Sequence, residues 1–181
     1  MQLPLRQVPN LISGIRIALV APIAWALVQR RFELTILLFG LAGLSDLADG
    51  FLAKRFGWQT DLGAVLDPAA DKLLLATVLV TLAYLRLAPL WLVAVAVSRD
   101  AIIVLGAVIY RYWFGPLEVR PSLVSKLNTL AQGAFILAVI GRERFSALPA
   151  WLVVSLGATV FLTVVISGID YVLTYGRRAL T

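Results

Sequence analysis

Asp46, Asp49, Asp61, Asp67 and Asp71 account for half of the ten acidic residues in the chain, within one short stretch. Asp46 and Asp49 are three residues apart, and Asp67 and Asp71 four, so on helices each pair shares a face. Two such pairs on successive helices can meet across a helix–helix contact and present an all-oxygen donor set. Hard divalent cations such as Mg²⁺ or Mn²⁺ take such a set. The chain has no His and no Cys, which removes imidazole bases, thiol nucleophiles, zinc sites and disulfides. A general base must then be Asp, Glu, Lys or Tyr.

The elements that carry these acids are apolar. Hydrophobic residues make up 61% of the 181 and charged residues 14%, with mean hydropathy +0.92. The fold class expected is all-α, a polytopic membrane protein built as a bundle of six transmembrane helices in a single domain, residues 1–181. The spans run over about Leu11 to Val28, Glu33 to Ala53, Gly63 to Leu85, Leu87 to Tyr112, Ser122 to Ile140 and Pro149 to Tyr175. Gly and Ala enrich the second half of the second span, which lets helix backbones approach closely. No cleaved signal peptide is expected, because the first apolar run is long and lacks a small-residue cleavage site. An even span count puts both termini on one side. The bias of Lys and Arg places that side, and the acidic stretch, on the cytoplasmic face of the membrane. The net charge of +6 reads as loop bias and affinity for anionic lipid, not as nucleic-acid binding.

Several residues interrupt the apolar runs. Residues 1–9 suit a short interfacial segment, and Asn10 is a candidate cap for the first span. Arg16 lies inside that span, where it either snorkels to the interface or faces a polar cavity and meets phosphate. Pro68 either occupies a first turn or kinks the third span beside the acids. Arg99 and Asp100 fall in the middle of the fourth span, where charged residues face the bundle interior or pair with each other. Asp61 reads as a cap or loop residue.

The full pattern is D-x2-D-G-x2-A-K-x8-G-x3-D-x3-D, through Asp46, Asp49, Gly50, Ala53, Lys54, Gly63, Asp67 and Asp71. It resembles the signature of the CDP-alcohol phosphatidyltransferase family, whose core also has six spans. Lys54 stands where the family usually has Arg, keeping the charge and losing the bidentate fork. The resemblance implies a metal-dependent transfer from CDP-diacylglycerol to a phosphate-bearing alcohol, with two Mg²⁺ or Mn²⁺ ions against the diphosphate. It implies that Asp46, Asp49 and Asp67 are metal ligands, and that Asp71 is both ligand and catalytic base. Gly50, Ala53, Lys54 and Gly63 would line the site of the CDP-lipid. SRDAIIVLGAVIYR, PSLVSKLNTLAQ and SGIDY look like the cardiolipin synthases of the family, whose acceptor is phosphatidylglycerol. PNLISGIRIALV and DPAADKLLL also fit the phosphatidylglycerophosphate synthases, whose acceptor is glycerol 3-phosphate. Arg99, Arg111 and Lys126 are the candidates for the acceptor phosphate. A homodimer is implied as well. A membrane cation or proton transporter is the alternative of another class, since acids inside a membrane also mark ion paths. It has no need of Gly50, Ala53, Lys54 and Gly63 at fixed offsets.

Overall fold

The computed structural model describes residues 8–56, 63–114, 123–145 and 148–179. They form six helices: α1 (Val8–Val28), α2 (Phe32–Phe56), α3 (Gly63–Tyr84), α4 (Leu90–Phe114), α5 (Leu123–Arg144) and α6 (Ala150–Ala179). The all-α expectation holds, with helix bounds close to those read from the apolar runs. Among the described residues, three stretches are long and apolar enough to cross a membrane on length and composition: Leu11–Val28, Leu123–Arg144 and Ala150–Asp170. The chain divides into two compact units, Met1–Leu85 and Arg86–Thr181.

In the first unit α1 packs against both α2 and α3. Its inward stripe is Ser13, Arg16, Val20, Ile23 and Leu27, all buried and spaced three or four apart. α2 turns Thr35, Phe39 and Ala42 inward, and α3 turns Ala70, Leu74, Val78 and Leu82. Ala26, Ala42 and Ala70 are fully buried, one on each helix. Small residues at the contacts let the backbones approach where lipid supplies no hydrophobic drive. Outward-facing residues such as Ile15, Leu37, Leu41 and Leu73 are large, apolar and exposed, as lipid contact requires. Thr35 and Thr81 donate their hydroxyls to the carbonyls four residues back, Arg31 and Thr77, which satisfies them locally.

The α1–α2 turn closes with a left-handed residue. Arg30 has φ 54°; its N–H reaches the Leu27 carbonyl at 2.9 Å, and the Arg31 N–H reaches the Ala26 carbonyl at 2.9 Å. This is the double bond of a Schellman cap, with Arg where Gly is usual. At the other end of the helix, α1 begins at Val8. Asn10 therefore lies inside the helix and is not its cap. Pro9 makes the earlier start possible, since a first turn tolerates the missing N–H. Pro68 is also inside its helix, one residue after Asp67. α3 begins early enough that Pro68 falls beyond the first turn, where its missing N–H deprives the Ala64 carbonyl of a donor.

In the second unit α6 packs against both α4 and α5. Trp91 of α4 meets Phe161 of α6 edge-on at 5.6 Å between ring centres, and further along Arg99 meets Ser167. Those contacts advance in the same sense, so α4 and α6 run parallel. α5 runs against them, for Thr163 meets Asn128 while a Cβ on Gly157 would touch Phe135 at 3.3 Å.

Candidate active site

Asp46 continues the inward stripe of α2 beyond Ala42, and Asp67 and Asp71 precede and extend the Ala70 stripe of α3. Each helix of the first unit thus has a stripe that is apolar along most of its length and polar at one end. The polar end comes first in α1 and α3 and last in α2. α1 and α3 run parallel, as Ser13 meets Asp67 and Arg16 meets Asp71, and the short turn at residues 29–31 reverses α2. All three polar ends therefore gather at one place.

Arg16 is the joint. Its Nη1 lies 2.8 Å from Asp46 Oδ1 and 2.5 Å from Asp71 Oδ1. One turn away, the Ser13 hydroxyl donates to Asp67 Oδ1. The Arg16 side chain has no exposed surface, while those of Asp46 and Asp71 keep 39% and 31%. Arg16 therefore does not snorkel. A guanidinium this buried needs carboxylates, and it draws them from two different helices. The spacing of the acids predicts a direct meeting of the second and third spans. The structure passes that meeting through α1, with Arg16 and Ser13 as the connecting side chains. Ser13 was not legible as a site residue. The available signal was its place three residues before Arg16, at the polar end of the same stripe.

Among the described residues the site sets three carboxylates, Asp46, Asp67 and Asp71, against the one guanidinium of Arg16. Its ligand atoms are all carboxylate or hydroxyl oxygens, a set that fits a hard divalent cation. Among the described residues no three carboxylates by themselves enclose an ion. Asp49, the fourth acid of the pattern, belongs to α2, but its side chain lies outside the described residues. The same holds for the side chains of Ala53 and Lys54 on α2 and Arg111 on α4, for the surroundings of Gly50 on α2 and Gly63 on α3, and for Asp61 altogether.

Arg99 of α4 is 6% exposed. Its Nη1 donates to Asp100 Oδ1 at 2.6 Å, so the pairing within the sequence dipeptide is real. Its Nη2 reaches two further helices, donating to Ser125 of α5 at 3.1 Å and to Ser167 of α6. Its Nε–H is buried and has no hydrogen-bond partner among the described residues. Lys126 is exposed on α5. Further along α5, Asn128 and Gln132 are buried, and Asn128 accepts a hydrogen bond from the Thr163 hydroxyl at 3.0 Å.

Residues 6–170 match the model of the family described as CDP-alcohol phosphatidyltransferase. The chain is 32% identical over 155 residues to human cardiolipin synthase (CMP-forming), a match covering 77% of this chain and 52% of that protein. It is 34% identical over 120 residues to the cardiolipin synthase (CMP-forming) of Streptomyces coelicolor, covering 62% of this chain and 56% of the other. Against the probable phosphatidylglycerophosphate synthase of Mycobacterium tuberculosis it is 33% identical over 136 residues, covering 75% and 62%. The chain spans about half the length of the cardiolipin synthases it matches.

Proposed function

The chain belongs to the CDP-alcohol phosphatidyltransferase family, and from that premise we propose that it transfers a phosphatidyl group from CDP-diacylglycerol to a hydroxyl of phosphatidylglycerol, forming cardiolipin and releasing CMP. One observation carries this: carboxylates of α2 and α3 converge on Ser13 and Arg16 of α1 at the polar end of the first unit. The proposed donor machinery belongs to the first unit, and the candidate acceptor contacts, Arg99, Arg111 and Lys126, belong to the second. The active site and both termini face the cytoplasm, and a homodimer is the assembly expected.

The family is metal-dependent, and Asp46, Asp49, Asp67 and Asp71 are the residues that would hold two Mg²⁺ or Mn²⁺ ions. Bound there, the ions would neutralise charge on the diphosphate. The protein's own groups do the rest. Arg16 fixes the direction of the Asp71 carboxylate. Asp71 takes the proton of the acceptor hydroxyl as that oxygen attacks the phosphorus nearest the diacylglycerol. The new P–O bond forms, the bond to the CMP oxygen breaks, and CMP leaves with the electron pair. Gly50 and Gly63, without side chains, let nucleotide and phosphate approach the backbone.

The second reading keeps this chemistry and changes the acceptor to glycerol 3-phosphate. The similarity to the mycobacterial probable phosphatidylglycerophosphate synthase favours it. Purified protein given CDP-diacylglycerol and Mg²⁺ or Mn²⁺, with each acceptor in turn, decides between them. Cardiolipin and CMP are expected with phosphatidylglycerol, and chelation should abolish both. Phosphatidylglycerophosphate as the only lipid product would establish the second reading. No CMP with any acceptor would sink both and return a transporter to consideration.

A further inference from the structure

The second unit holds a groove of about 660 Å³ between α4 and α6. Its walls are almost wholly apolar. Val95 and Ile102 on α4 and Val165 and Ile169 on α6 line it and are themselves exposed. The groove residues run along α4 from Ala94 to Ile103, a length of about 13 Å at the helical rise. Two polar residues join the lining, Ser98 and Arg99. Arg99 is more than nine-tenths buried, and its Nε–H is the donor with no partner among the described residues. A buried N–H of a charged group requires an acceptor oxygen. An occupant that pairs a hydrocarbon segment with an oxygen-bearing polar end matches both the apolar walls and Arg99, and a membrane supplies such molecules.

We propose that this groove seats one acyl chain of the acceptor, a phospholipid, with an ester or phosphate oxygen of that lipid received by the Arg99 guanidinium. The assignment rests on the phosphatidyl transfer proposed above and narrows its acceptor to a lipid. Glycerol 3-phosphate has no hydrocarbon to fill the groove. Phosphatidylglycerol has both parts.

Gly168 lines the groove, and a Cβ built on it meets nothing within 4 Å. Gly168→Leu therefore fills the space without displacing a neighbour. The experiment measures KM for dioleoyl phosphatidylglycerol and for CDP-diacylglycerol separately, in wild type and Gly168→Leu. The KM for phosphatidylglycerol should rise about tenfold, in the range that a filled or emptied apolar pocket produces, while the KM for CDP-diacylglycerol stays put. That second constant also reports that the variant is folded. An unchanged KM for phosphatidylglycerol overturns the proposal, and so does an equal rise for CDP-diacylglycerol, which would give the groove to the donor. A change in oligomeric state on size exclusion overturns it too, by giving the groove to a second copy of the chain. If wild type accepts only glycerol 3-phosphate, the transfer chemistry stands and the lipid groove falls; if wild type releases no CMP at all, the parent function itself fails. Should Gly168→Leu not fold, photo-crosslinking wild type with diazirine-acyl phosphatidylglycerol gives the answer. Labelling within α4 and α6, competed by phosphatidylglycerol and not by glycerol 3-phosphate, supports the assignment, and labelling elsewhere overturns it.

Discussion

Arg16 and Arg99 are the two buried arginines of the described residues, one in each three-helix unit, and they are held in different ways. Arg16 draws carboxylates from two other helices, and its partners keep roughly a third of their side-chain surface. Arg99 takes its carboxylate from the next residue of its own helix, and Asp100 keeps only 16%. From the other two helices of its unit it takes hydroxyls, Ser125 and Ser167. One guanidinium thus sits among partly exposed carboxylates; the other is neutralised locally and ties neutral donors together. The first arrangement suits the cation binding proposed for it. The second fastens helices.

The largest expected effect is at Asp71. Asp71→Asn keeps the shape and a hydrogen-bond acceptor for Arg16 but loses the proposed base. CMP release at saturating metal should fall by about 10²–10⁴-fold, the range for a general base, with thermal stability in detergent close to wild type. Full activity in that variant would mean that the acids of the first unit bind without taking the proton.

The arginines themselves come next, as a matched pair. Arg16→Gln leaves carboxylates facing one another. Removing one partner of a fully buried ion pair costs about 3–5 kcal/mol, and the partial exposure of these acids reduces that to about 2 kcal/mol. Added Mg²⁺ or Mn²⁺ should restore part of the melting temperature, because a cation can replace the lost charge. Arg99→Gln should also lower the melting temperature, by the loss of its hydrogen bonds, but divalent cations should not restore it. Thermal melts of both variants with and without metal test the contrast. Equal rescue of the two, or of neither, would erase the distinction between a cation-collecting and a helix-fastening arginine.

Single hydroxyls should show the same division on a smaller scale. Ser13→Ala and Ser167→Ala each delete one hydrogen bond, worth about 1 kcal/mol. Ser13 bonds a proposed metal ligand, so its loss should raise the metal concentration needed for half-maximal CMP release. Ser167 bonds Arg99 of its own unit, and its loss should leave that concentration unchanged. A metal titration of CMP release in the two variants measures this, and a shared shift would count against the separation.

How much of this was open to the sequence differs between the two arginines for the same reason. The six helices were legible because charged, Gly and Pro residues interrupt apolar runs of nearly constant length. Spacing within a helix placed Asp46 with Asp49, and Asp67 with Asp71, on shared faces. It carries no information on which helix stands between two others, so the role of α1 and the choice between the two fates of Arg16 stayed open. Arg99 with Asp100 was legible because the partners are adjacent. Ser125 and Ser167 were not, since a serine in an apolar helix ordinarily bonds its own backbone. Asn10 misled for a local reason: its cap chemistry is genuine, but Pro9 lets the helix begin earlier.

The smallest effect belongs to the opposite end of the first unit, where the stripes are apolar and no chemistry is proposed. Arg30 holds φ 54° in the Schellman turn after α1. A left-handed conformation costs a residue with a Cβ roughly 1 kcal/mol or more, and Gly adopts it freely. The exposed Arg30 side chain has no part in the proposed site. Arg30→Gly should therefore raise stability by about 0.5–1 kcal/mol, less than the strain relieved because Gly gains freedom in the unfolded chain. A small rise in melting temperature with unchanged kcat/KM for CDP-diacylglycerol would show that the two ends of the unit are energetically separable. A fall in melting temperature would mean that the Arg30 side chain contributes more than its backbone costs, and the apolar end would then be built around a charge as the polar end is.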